Sequence, residues 1–77
     1  MFNRKSYKPQ YNYSRLRGKI REVLGTEGEF ASQLGRSHNF IVSVFKGNSY
    51  FEQKDIDRAC QILGIEPDDI GVYFFAI

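Results

Sequence analysis

Residues 27–47 read EGEFASQLGRSHNFIVSVFKG, and the reading of this stretch decides the fold. Phe30, Ala31 and Leu34 recur at helical spacing, which predicts a short helix with one apolar face. Gly35 stops it, because glycine reaches a left-handed cap without a Cβ clash. Ser37 is a good N-cap for a second helix, on which Ile41, Val44 and Phe45 fall at i, i+3 and i+4. Ala31 is small enough to sit where the two helix axes cross. This spacing is that of a helix-turn-helix, whose second helix enters the major groove of DNA.

The flanking chain carries more helical periodicity. Tyr13, Leu16, Ile20, Val23 and Leu24 trace one face of a first helix, with Asn12 or Ser14 as its cap and Gly25 as its stop. Thr26 and Glu29 have the spacing of a reciprocal capping box. Beyond the loop Gly47–Tyr50, Ile56, Ala59, Cys60 and Leu63 mark the buried stripe of a helix over 53–63, with Asp55, Asp57 and Arg58 outside and Gly64 at its end. Glu66, Pro67, Asp68 and Asp69 start a short fifth helix, since proline and acids suit a first turn. Its end, VYFFAI, fits helix or strand equally.

On these residues the chain resembles the lambda-type repressors and Cro proteins of temperate bacteriophages. FASQLGRSHNFIVSVFKGN resembles the helix-turn-helix of that family, DIDRACQILGIEPDDI its fourth helix and the start of its fifth, and YSRLRGKIREVLGTEGEF its first helix and the entry to the second. The resemblance implies an all-α, five-helix, lambda-repressor-like DNA-binding domain over residues 13–77, preceded by a basic N-terminal arm over residues 1–12. Two departures stand out. Glu27 occupies a position where the family commonly has a glutamine that donates to phosphate, and Arg36 occupies a usually aliphatic turn position.

At 77 residues the chain has the length of one domain, and at 42% hydrophobic it has the apolar bulk for a core. A lone cysteine, Cys60, excludes an internal disulfide. No run reaches the roughly 18 apolar residues of a membrane span, which points to a soluble, intracellular protein; the resemblance implies the cytoplasm of a bacterial host, at its nucleoid. The net charge of +2 hides an asymmetry: residues 1–21 hold seven bases and no acid, and the rest holds four bases against nine acids. A strongly basic end is the footprint of a protein that approaches phosphates.

The residue roles follow from this reading. His38, Asn39, Val42 and Ser43 lie on the outward face of the second motif helix and are expected to read bases, Asn39 by a bidentate pair with adenine and Val42 against a thymine methyl. Arg36, Ser37, Lys46, Asn48, Arg15, Lys19, Arg4 and Lys5 are expected to meet phosphates. The arm fits a duplex-tracking extension or a solvated tail, two readings that the residues leave open. Phe74, Phe75 and Ile77 are expected to form a homodimer contact, as twofold operator binding requires, the other possibility being that they cap the monomer core.

The expected function is a sequence-specific, double-stranded DNA-binding transcriptional regulator that acts by occupying a palindromic operator. The alternative is a helical protein–protein module, antirepressor-like, that keeps the fold without binding DNA; Glu27 is its main support, because an acid repels phosphate. An enzyme is not expected, since no paired carboxylates, Cys/His arrangement, phosphate-cradling glycine loop or metal cluster is present, and His38 has neither a nucleophile nor a co-ligand beside it in sequence. No cofactor, metal or small-molecule substrate is implied.

Overall fold

The computed structural model describes residues 10–77. Within them the chain is all-α, with five helices: α1 (Ser14–Leu24), α2 (Glu27–Leu34), α3 (His38–Phe45), α4 (Gln53–Leu63) and α5 (Ile70–Phe74), the last entered through a 3-10 turn at Pro67–Asp69. VYFFAI is therefore helical at its start, and no strand occurs among the described residues.

Local chemistry sets the helix ends. Thr26 Oγ1 accepts the Glu29 N–H at 3.0 Å and Ser37 Oγ accepts the Phe40 N–H at 3.1 Å. Only half of the expected box at α2 forms, because the Glu29 carboxylate instead accepts the Gln33 amide one turn on, at 3.0 Å. A full box forms at α4, where Asp55 Oδ2 accepts the Glu52 N–H at 2.9 Å. At the turn between α2 and α3, Gly35 adopts φ 80°, and the Arg36 N–H reaches back to the Ala31 carbonyl at 3.0 Å. That is a Schellman closure, and it reverses the chain into α3 within three residues.

The core is one cluster. Leu16 and Ile20 of α1, Phe30, Ala31 and Leu34 of α2, Ile41 and Val44 of α3, and Ile56, Ala59 and Leu63 of α4 are buried together with Tyr13, Ile65 and Phe74. Phe51, in the loop before α4, binds this cluster to its aromatic edge: its ring meets Tyr13, Phe30, Phe40, Phe45 and Phe74 at centroid distances of 5.8 to 6.5 Å, mostly edge-on. Such edge contacts add about 0.5 to 1.5 kcal/mol each beyond the area they bury. Phe51 thus ties α2, α3, α5 and the N-cap of α1 together.

Several expectations are corrected here. Val23, placed on the buried face of α1, is 44% exposed, whereas its neighbour Leu24 packs against the cluster. Asp55, placed outside, is 3% exposed, because it turns inward to cap α4 and to meet Arg36. Phe74, expected at a dimer contact, is 1% exposed in the monomer core, whereas Phe75 and Ile77 are 47% and 86% exposed. Residues 10–12 of the expected arm are held: the Asn12 N–H donates to the Ala76 carbonyl at 2.7 Å, and the Gln10 amide lies against Gly47. Arg4 and Lys5, with the rest of the arm to residue 9, lie outside the described residues.

Candidate functional site

The surface built around α3 is the candidate site, and its residues come from three elements. Ser37 is committed to capping α3. His38 and Asn39, in the first turn of α3, are exposed; Val42 and Ser43 are half-buried; Lys46 and Asn48 are exposed where the helix ends. The Ser43 hydroxyl is 3.1 Å from that of Ser49, so α3 is tied to the loop that follows it and Ser43 is not a free reader.

The two arginines beside α3 are both engaged. The Arg36 guanidinium lies over the Phe40 ring, 3.7 Å from its centroid, and its Nη1 is 3.4 and 3.5 Å from the two oxygens of the Asp55 carboxylate. Glu52 is a looser partner at 3.9 Å. At the other end of α3, the Arg17 guanidinium lies 5.1 Å from the Phe45 centroid, and its Nε donates to Glu27 at 2.9 Å. Each end of α3 therefore has the same arrangement, in which an aromatic ring of α3 carries an arginine and a carboxylate from a neighbouring helix fixes that arginine. Stacking and pairing reinforce one another, since the ring face favours the cation and the carboxylate sets its direction. The departures at positions 27 and 36 are the parts of these clamps. A periodicity search does not find them, because partners ten and nineteen residues apart share no repeat.

The remaining expected phosphate residues do not join this surface. At about 100° per helical residue, Arg15 and Lys19 point roughly 160° away from Arg17 on α1. They flank a shallow cleft over Gly18, with Glu22 and Tyr73 as its other walls, on the side of α1 that meets α5. The expected set is thus split: Arg36, Ser37, Lys46 and Asn48 stay with α3, and Arg15 and Lys19 do not.

Little else on the described surface has the makings of a reaction centre. A cavity of about 220 Å³ opens between Tyr11, Tyr50, Phe51 and Phe75, and its walls are aromatic apart from Ile56. Burial pushes the Tyr13 phenol up from its ordinary value, helped by Tyr11 and Tyr50, and burial with the nearby Asp57 charge pushes the Cys60 thiol up. A raised thiol is a poor nucleophile, so Cys60 acts as a small hydrophobe. Among the described residues no group of three or more His, Cys, Asp or Glu could hold a metal, and no helix is long and apolar enough to cross a membrane.

Comparison with known proteins places this geometry. The model of one protein family, described as protein of unknown function DUF739, matches residues 9–77. Among solved structures, the solution structure of the modulator of repression of the temperate bacteriophage TP901-1 from Lactococcus lactis is 37% identical, with a TM-score of 0.70, over 86% of this chain and 89% of that one.

Proposed function

The chain belongs to the DUF739 family, which replaces the lambda-type repressor and Cro assignment that its helix-turn-helix suggested, and from that premise we propose that it modulates phage repression by docking α3 onto another protein. The relative that shares 37% of its residues is a modulator of repression, and that role comes to this chain as part of the proposal. The observation that carries the proposal is the electrostatics of the α3 surface. Arg17 and Arg36 are paired and stacked, which leaves Lys46 as the one basic side chain on that surface without a carboxylate partner among the described residues. Half-buried Val42 and Phe45, ringed by His38, Asn39 and Ser43, make a small apolar centre with a polar rim, the pattern of a protein–protein contact. A surface that must neutralise several phosphates needs free cations, and this one has spent its arginines internally.

A second reading, operator occupancy, has one observation in its favour. His38 and Asn39 are exposed on the first turn of α3, the turn that groove-reading helices offer to base edges. Titration of isotope-labelled protein separates the two. Addition of the purified DNA-binding domain of the cognate repressor is expected to shift the amides of His38, Asn39, Val42 and Lys46 while random duplex leaves them in place. Shifts at those residues with duplex and none with the repressor domain would transfer the assignment to the operator reading.

A further inference from the structure

We infer that Glu27 and Asp55 are specificity-determining residues of the α3 surface, acting by holding Arg17 and Arg36 away from nucleic-acid phosphates. The inference rests on α3 being the working surface and adds what keeps that surface from the wrong class of partner. The observation is the pair of matched clamps. Each guanidinium is fixed on two sides, Arg17 by Phe45 and the Glu27 carboxylate at 2.9 Å, Arg36 by Phe40 and the Asp55 carboxylate at 3.4 Å. The two carboxylates come from different helices, α2 and α4, and both are well shielded, with side-chain exposures of 19% for Glu27 and 4% for Asp55. The arginines are the more open partners, at 44% and 25%. This distribution matters. The charges that solvent and ligands meet first are the cations, and the anions that cancel them sit behind.

A duplex approaching α3 would offer its phosphates to guanidiniums that already have a carboxylate at closer range in a less polar setting, so exchange gains little. A protein surface with no fixed anionic rails meets no such obstacle. Discrimination of this kind is a difference between affinities, and blocking the competing partner serves it as well as strengthening the right one. Both arginines also lie beside the two ends of α3, where the backbone rails would run if a duplex were docked there.

The test is binding of a short random-sequence duplex as salt is varied, for the wild type, Glu27→Gln, Asp55→Asn and the double variant. Each glutamine or asparagine keeps the shape of its parent and one acceptor oxygen, enough at position 55 for the Glu52 N–H, and removes the charge that holds the arginine. Each arginine so released should add about 0.9 to the slope of log affinity against log salt. The double variant should therefore lose roughly tenfold more duplex affinity than the wild type over a fourfold rise in salt. Restoring neutrality with Arg17→Gln in the Glu27→Gln background should remove the gain, which a merely structural role for Glu27 would not predict. Folding of each variant is read from its amide spectrum; should Asp55→Asn fail to fold, Glu27→Gln alone decides, with half the increment in slope. Folded variants whose duplex affinity and slope equal those of the wild type overturn the inference and leave the protein-docking proposal standing. A wild type that already binds duplex with a steep slope overturns the inference together with that proposal.

Discussion

Replacing Asp55 with alanine should destabilise the fold by about 2 to 3 kcal/mol, a large part of what a domain of this size holds. Two losses combine. The carboxylate accepts the Glu52 N–H at 2.9 Å, and losing a helix cap of this kind costs about 1 kcal/mol. The same carboxylate faces the Arg36 guanidinium at 3.4 Å, and orphaning a fully buried charge would cost about 3 to 5 kcal/mol. Arg36 keeps 25% of its side chain in water, so solvent screening reduces this second loss to about 1 to 2 kcal/mol. Asparagine at the same position keeps an acceptor for the Glu52 amide and lacks the charge, so Asp55→Asn should lose only about 1 to 2 kcal/mol. For a domain of this length about 4 to 8 °C of Tm accompanies each kcal/mol, which puts the alanine variant roughly 10 to 20 °C below the wild type. Urea unfolding followed by far-ultraviolet circular dichroism measures both. Two variants within about 0.5 kcal/mol of the wild type would refute the reasoning, because a surface residue without a structural role behaves that way.

Three further outcomes follow from the same geometry. Phe74→Ala should lose about 3 to 5 kcal/mol in chemical denaturation and Phe75→Ser only about 1 kcal/mol, since the first ring is in the core and the second meets Tyr11 at the surface; equal losses would contradict that placement. Gly35→Ala should cost about 1 to 2 kcal/mol, because φ is 80° there and a Cβ is strained in that region whatever the space around it; an unchanged unfolding midpoint would contradict it. The part of stability that Cys60 and Tyr13 contribute should be full below about pH 9 and fall as pH rises beyond it. Burial raises the Cys60 thiol above its ordinary 9.0 and the Tyr13 phenol above its ordinary 10.0, so the folded chain keeps protons that the unfolded chain releases. Thermal melts from neutral to alkaline pH check this, and a Tm that climbs through that range would contradict the sign.

The features that could be read in the sequence were those with local causes. Thr26, Ser37, Gly25, Gly35 and Gly64 stand at helix ends because caps and left-handed turns depend on residues a few positions apart. The stripe Ile56, Ala59 and Leu63 and the pair Ile41 and Val44 are buried as their spacing requires. What could not be read depends on partners distant in the chain. Phe51 stands in a loop and belongs to no periodic pattern, yet five aromatic rings converge on it. Asp55 has a typical first-turn position and caps α4 locally, but its ion pair with Arg36, folded back by the Gly35 turn, comes from nineteen residues away. The family assignment went astray for a related reason. Phe30, Ala31, Leu34, Gly35, Ile41 and Val44 specify how two helices pack, and that pattern says nothing about what the outer surface touches. Glu27 and Arg36 were the residues that departed from the pattern, and they are the ones on which the charge of that surface turns.

Selection of bound duplexes from a random-sequence pool by the wild-type protein reads the partner class of α3 at once. No motif should be enriched over the starting pool, because the arginines beside α3 are already paired with carboxylates. Enrichment of a palindromic motif, lost on Asn39→Ala, would contradict it.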